Sequence, residues 1–302
     1  MVRKSTEERN ERTALIDEMD SFQIVEMMHK EDSAILTVVN ESLPQISKAV
    51  DAIVKRWNDG GRVFVIGAGT SGRVGMLDAV ELGPTFSVET GKWTAIVSGG
   101  NEAMWQPLEE TEDDVSVIRN ELQSYQLNAS DCVIGLTASG STPFVISGLS
   151  YAKETGSCTI SISNNTNTTV SEISDVAIEL TTGPEVIRGS TRLKAGTAQK
   201  MALNMISTAV MIQLGKVYQN EMVDMKLINL KLKKRAETIL MDLTGMEAES
   251  AETAMNQTQY NLKEAIFMTV TQSSQEQAAA YIEQAEGKLK LAIQRFFGKD
   301  NR

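Results

Sequence analysis

Residues Arg62–Glu81, R-V-F-V-I-G-A-G-T-S-G-R-V-G-M-L-D-A-V-E, constrain this chain more tightly than any other stretch. Five strand-like residues, Arg62 to Ile66, run into the glycine-rich turn Gly67-Ala68-Gly69-Thr70-Ser71-Gly72. A helix-compatible segment then carries Asp78 and Glu81 away from that turn. Strand, glycine turn and helix start together make an anion cradle, because the N–H groups of the turn and the positive helix end face one point. Thr70 and Ser71 add hydroxyl donors.

The sheet that such a unit needs is readable downstream. Short apolar or β-branched runs at Arg62–Ile66, Trp93–Val97, Cys132–Thr137, Cys158–Ser163 and Val176–Leu180 read as strands buried on both faces. Helical segments at Val74–Val80, Leu108–Ser124 and Pro143–Thr155 lie between several of them, which implies βαβ units and a parallel sheet. Upstream, Ser21–Asn40 places Phe22, Val25, Met28, Ile35, Leu36 and Val39 at helical spacing, and Leu43–Trp57 repeats the pattern. Asn58-Asp59-Gly60-Gly61 then turns the chain into the first strand. The stretch Thr6–Asn10 carries no core pattern and reads as a solvated arm.

Ala195–Tyr218 reads as one long helix with an apolar methionine-rich face. Amphipathic helices around Ala236–Leu243, Glu247–Met268 and Glu276–Phe297 follow. The expected class is therefore α/β. Residues 1–55 form an N-terminal helical extension, 56–222 the sheet domain and 223–302 a small helical C-terminal domain.

Composition narrows the function. The 302 residues carry a formal net charge of −11, which argues against a nucleic-acid or anionic-membrane surface. No run of about 18 or more apolar residues offers a membrane span. The N-terminal stretch M-V-R-K-S-T-E-E-R-N lacks the apolar core of a signal peptide. The two cysteines, Cys132 and Cys158, sit in strand-like runs, the usual place for reduced core thiols in a cytosolic protein. The single histidine, His29, leaves no Ser-His-Asp triad and no multi-His metal site. Any catalysis must rest on carboxylates, hydroxyls, lysines or backbone.

Gly67, Gly69 and Gly72 also match the dinucleotide fingerprint. A second hydroxyl-rich turn, Thr137-Ala138-Ser139-Gly140-Ser141-Thr142, follows another strand, with Pro143 opening the next helix. Two Ser/Thr-Gly turns at the carboxyl ends of parallel strands suit a single phosphate within a sugar site. Taken alone, the second turn serves equally as a helix N-cap. Among carboxylates, Glu81 would lie about 15 Å from Ser71 along a straight helix. It reaches a sugar only through a bend, which Gly83-Pro84 would allow. Glu109, Glu110, Glu112, Asp113 and Asp114 form an acidic run that a helix N-terminus alone would explain.

G-A-G-T-S-G-R-V-G-M-L-D-A-V-E followed by P-T-F, the loop A-S-G-S-T-P-F-V and the run Gly183–Lys200 resemble the N-acetylmuramic acid 6-phosphate etherases. The last run is similar to the signature that these enzymes share with glucokinase regulatory protein. T-E-E-R-N, Glu31-Asp32, G-K-V-Y at Gly215 and M-V-D at Met222 extend the likeness over nearly the whole chain. The resemblance implies a sugar-isomerase-type (SIS) parallel-sheet sandwich and a homodimer in the bacterial cytoplasm. It implies a lyase that cleaves the lactyl ether of the sugar phosphate to give N-acetylglucosamine 6-phosphate and D-lactate, with no cofactor. It places the two catalytic glutamates on Glu81 and Glu112. The phosphate would fall to Ser71, Ser139 and Thr142, with Thr70, Gly140 and Ser141 alongside, and Ser190 and Lys194 would reach the site from the start of the long helix. Family members usually read D-A-S-E-C-P-P-T where this chain has Asp78-Ala79-Val80-Glu81-Leu82-Gly83-Pro84-Thr85. A non-catalytic sugar phosphate regulator of the same fold is the alternative.

Overall fold

The computed structural model describes residues 4–227 and 229–298; residues 1–3 of the N-terminal stretch lie outside them. The chain divides into two compact units. One takes the chain up to Val80 together with Thr90–Ser207, and the other takes Glu81–Glu89 and the chain from Thr208 onward.

The first α-helix of the first unit, α1, spans Ser21–Asn58 and is started by a capping box between Asp20 and Gln23. Two helical stretches were expected here, and they are one. The helix passes through Pro44, which forgoes a backbone hydrogen bond at a usual cost of about 3 kcal/mol. Burial of Ile35, Val39, Ile46, Val50 and Ile53 on both sides of the proline offsets that loss. Phe22, Val25 and Leu36 stay exposed, so the expected apolar face is only partly used.

Five parallel strands follow: β1 Val63–Gly67, β2 Trp93–Val97, β3 Cys132–Thr137, β4 Cys158–Ser163 and β5 Val176–Glu179. Each falls within a residue or so of the expected position at either end. Their order is β2-β1-β3-β4-β5. The helices between them are α2 (Gly69–Phe86), α3 (Val115–Ser124), α4 (Pro143–Glu154) and α5 (Thr169–Ile173). Phe64, Ile66 and Val133 of the sheet pack with Ile118, Leu122, Phe144, Val145, Leu149 and Val170 of α3–α5 in one core. α1 packs on β4 and β5. Both cysteines are buried and free, aligned side by side on β3 and β4.

Helix α2 starts earlier than expected, at Gly69, and continues through Gly83 and Pro84 to Phe86. The segment expected as a helix over Leu108–Ser124 instead makes a short 3-10 helix at Glu109–Asp113 and then α3. Asp114 separates the two by accepting the Ser116 and Val117 N–H groups as the α3 cap.

The N-terminal arm is not solvated. It forms 3-10 turns at Ser5–Glu7, Glu11–Thr13 and Ile16–Glu18, and Thr6, Asn10 and Thr13 are buried. Their polar atoms are met by distant partners: Thr6 by Asn165, Asn10 by Glu31, and Thr13 by the Val186 carbonyl.

The long helix α6 runs from Lys194 to Gln213 and gives way to a two-stranded hairpin, β6 Val217–Tyr218 and β7 Glu221–Met222. Five helices complete the second unit: α7 Leu230–Thr244, α8 Ala248–Gln257, α9 Leu262–Thr271, α10 Gln275–Gln284 and α11 Leu289–Phe296. Two expected helices are each split. Gln259 and Tyr260 take positive φ between α8 and α9, as do Glu286 and Gly287 between α10 and α11. Ile239, Leu240, Met255, Ile266, Phe267 and Leu289 share this unit's core, in which Phe267, Tyr281 and Phe296 form an aromatic trio. No described helix is long and apolar enough to cross a membrane.

Candidate functional site

The strand order reverses between β1 and β3, the point at which open α/β sheets leave a crevice beyond their carboxyl ends. The register sets Gly67 beside Leu136, so the turns after β1 and β3 leave the sheet from adjacent positions. In the first turn the backbones of Gly67 and Gly72 touch. A side chain on Gly72 would stand 2.6 Å from the Gly67 carbonyl oxygen, so only glycine closes the turn this tightly. Helix α2 begins at once, leaving the N–H groups of its first turn at residues 69–71 without helical acceptors. Ser71 is buried there.

The second turn is a chain of hydroxyls. Thr137 Oγ1 lies 2.8 Å from Thr142 Oγ1 and 3.2 Å from Ser139 Oγ. The Ser141 hydroxyl and N–H both donate to Ser139 Oγ, at 3.3 and 3.2 Å. Thr142 occupies the cap position of α4 but does not cap it, and Pro143 follows. Its hydroxyl serves the turn and not the helix, so the first N–H groups of α4 keep their capacity for an anion. Gly140 has φ +70°, and a Cβ there would lie 2.3 Å from Thr168 Cβ. Gly140→Ala should therefore cost about 2 to 4 kcal/mol in denaturant unfolding and weaken sugar phosphate binding, since both backbone strain and overpacking fall on the turn.

Two cavities meet these turns. One, of about 410 Å³, is lined by Ser139, Gly140 and Ser141 with Lys4 and residues 165–169. The other, of about 100 Å³, is lined by Gly69, Thr70, Arg73 and Ser98 with Glu109 and Glu112. Arg73 donates to the carbonyls of Ala103 and Gln106, each at 3.0 Å, and Ser98 Oγ donates to the Thr111 carbonyl at 2.7 Å. These bonds fold residues 98–112 onto the β1 turn and bring Glu112 to the cavity wall. Burial on that side, and then the charges of Asp113 and Glu109, push the Glu112 carboxyl above its ordinary range.

Of the remaining candidates, Ser71, Thr142, Ser190, Lys194 and Glu81 line neither cavity. Lys194 is 1% exposed and its ammonium lies 2.9 Å from Glu31 Oε2, inside the first unit. Ser190 sits in a turn ahead of α6, and Glu185, not Ser190, accepts the first helical N–H groups from Lys194 and Ala195. Glu81 is exposed on α2. Three residues before it, Asp78 is 4% exposed and accepts from Asn204 at 2.5 Å and Ser207 at 2.9 Å. Burial raises its pKa despite those bonds. Sequence reasoning assigned nothing to Asp78, Arg73, Lys4 or Asn165. Only T-E-E-R-N marked the arm that carries Lys4.

Residues 45–153 match the glucokinase regulatory protein N-terminal SIS domain, 121–209 the SIS domain and 267–302 the UBA-like domain. N-acetylmuramic acid 6-phosphate etherase 2 of Bacillus licheniformis is 50% identical over 96% of this chain and 98% of its own length. The chain belongs to the N-acetylmuramic acid 6-phosphate etherase family. Etherases of Geobacillus sp. and Clostridium beijerinckii are 45% and 44% identical over 97% and 98% of this chain, and over 100% and 97% of their own. In this etherase-family chain, two of the departures around Glu81 have separate places: Val80 is exposed, whereas Leu82 is buried.

Proposed function

We propose that this protein cleaves the D-lactyl ether of N-acetylmuramic acid 6-phosphate, giving N-acetylglucosamine 6-phosphate and D-lactate in cell-wall recycling. One observation carries the reading: 50% identity with an etherase along 96% of this chain, which has a glutamate at both expected positions, Glu81 and Glu112. The hydroxyl-rich turns that leave β1 and β3 from adjacent positions support it, because their N–H and hydroxyl dipoles suit a phosphate. The protein acts as a cytoplasmic homodimer, as the family likeness suggests.

The chemistry runs through carboxylates. In the open-chain sugar the aldehyde acidifies the C2 proton, and the lactyl ether oxygen sits on C3. Glu81 takes the C2 proton, the C3–O bond breaks, and the proton assists departure of lactate as the alcohol. Water then adds to C3 of the unsaturated aldehyde with Glu112 as base, C2 is reprotonated and the ring closes. Glu112 also serves ring opening, a role that a raised pKa favours because more of the acid form persists toward neutrality. As a base it must lose its proton, so the acidic limb of the kcat/KM profile should lie above the ordinary glutamate range. In Glu112→Gln that limb should change in position along with the loss of most of the rate; an unchanged limb would remove Glu112 from the role. The reading as a whole is tested by incubating the purified protein with the substrate and assaying D-lactate: release supports it, and tight binding without release would favour a sugar phosphate sensor.

A further inference from the structure

The hydroxyls and N–H groups of the two turns are dipoles, yet a phosphate monoester carries up to two negative charges, and the chain itself has a net charge of −11. Cations near the turns are mostly committed elsewhere. Arg73 spends its guanidinium on two backbone carbonyls, and Lys194 is paired with Glu31. Lys4 differs. Its ammonium donates to the Ser141 hydroxyl of the second turn, and among the described residues it pairs with no carboxylate.

The arm is fixed where it delivers that charge. Asn165 is buried and acts as a clasp: its Oδ1 accepts the Ser5 hydroxyl at 3.0 Å and the Thr6 N–H at 3.4 Å. Its Nδ2 donates to Thr6 Oγ1 at 3.0 Å and to the Ala138 carbonyl at 2.9 Å. The same amide thus holds both the arm and the β3–α4 turn. Lys4 and Ser5 line the cavity of about 410 Å³ together with Ser139, Gly140 and Ser141, a volume within the range of about 300–1,000 Å³ usual for small-molecule sites.

We propose that Lys4 is a phosphate-binding residue and that residues 4–6 form a strap, clasped by Asn165, that completes the phosphate pocket at the second turn. The proposal rests on the sugar phosphate reading above and adds a cation to it. Without an anion, the Ser141 hydroxyl takes the ammonium's hydrogen bond. A phosphate oxygen seated on the Ser139–Ser141 turn would take it over as a charge-assisted bond.

Titration calorimetry with inorganic phosphate and with N-acetylglucosamine 6-phosphate tests this on the full chain. Lys4→Met keeps the aliphatic stem and removes the charge; it should raise both dissociation constants about 10- to 100-fold, the usual worth of a hydrogen bond to a charged group. Lys4→Arg should keep most of the affinity, and binding of unphosphorylated N-acetylglucosamine should not change between variants. In turnover the loss should fall on KM and not on kcat. Equal phosphate affinity in wild type and Lys4→Met, or no phosphate binding in the wild type, would overturn the proposal. Lactate release at wild-type KM by Lys4→Met would sink Lys4 and leave the etherase standing. Lys4-dependent phosphate binding without lactate release would do the reverse.

Discussion

Glu81→Gln should lower turnover by about 10²- to 10⁴-fold, the usual contribution of a positioned acid or base, while sugar phosphate affinity stays nearly unchanged. The amide keeps the shape of the side chain and cannot accept the C2 proton. Glu81 is exposed on α2, so its replacement leaves no buried charge unpaired and the fold should not respond. A calorimetric binding constant close to wild type beside a lost rate is the expected pair of results. Wild-type turnover in this variant would remove Glu81 from the chemistry.

The second large effect concerns the fold that carries the turns. Glu31 is 5% exposed and accepts hydrogen bonds from Arg12 at 2.5 and 2.8 Å, from Asn10 at 2.8 Å and from Lys194 at 2.9 Å. Through these bonds one carboxylate on α1 holds the N-terminal arm and the start of α6. Glu31→Gln removes the charge and leaves Lys194, 1% exposed, without its counter-ion. Breaking a buried pair from one side costs about 3–5 kcal/mol, and in a unit of this size each kcal/mol moves the melting temperature by about 2–4 °C. A fall of roughly 10 °C is expected by calorimetry; a shift of only a degree or two would mean that the pair contributes little.

The same group sets an acid limit. The Arg12 guanidinium first, and then Lys194 and Asn10, hold the Glu31 carboxyl at about 2 against the opposing effect of burial. Its folded pKa lies below the ordinary value of 4.5, so its contribution to stability is present above 4.5 and is lost as the pH falls toward 2. The stability difference between wild type and Glu31→Gln should narrow through that window.

The sheet was legible because strands buried on both faces write themselves as short apolar runs, and all five fall within a residue or so of their expected ends. Helix limits were less so. Ser21–Asn40 and Leu43–Trp57 read as separate stretches, yet burial on both sides of Pro44 keeps α1 whole, and nothing in Gln259 or Tyr260 announces a left-handed backbone between α8 and α9. At the site, the hydroxyl turns and their glycines were readable from residue type and spacing. The roles of Glu81 and Glu112 were not, since an acidic run at a helix start looks the same whether it caps or catalyses. The structure separates two of that run: Asp114 caps α3, and Glu112 meets a cavity. The arm was misread because its buried polar residues find partners far away in sequence, such as Thr6 with Asn165 and Thr13 with Val186, which periodicity does not encode.

Turnover of N-acetylmuramic acid 6-phosphate in oxygen-18 water, with the label located by mass spectrometry, tests the central claim most directly. Elimination followed by addition puts solvent oxygen on C3 of N-acetylglucosamine 6-phosphate and leaves the hydroxyl oxygen of D-lactate unlabelled. Label in that lactate hydroxyl, or no lactate at all, would contradict it.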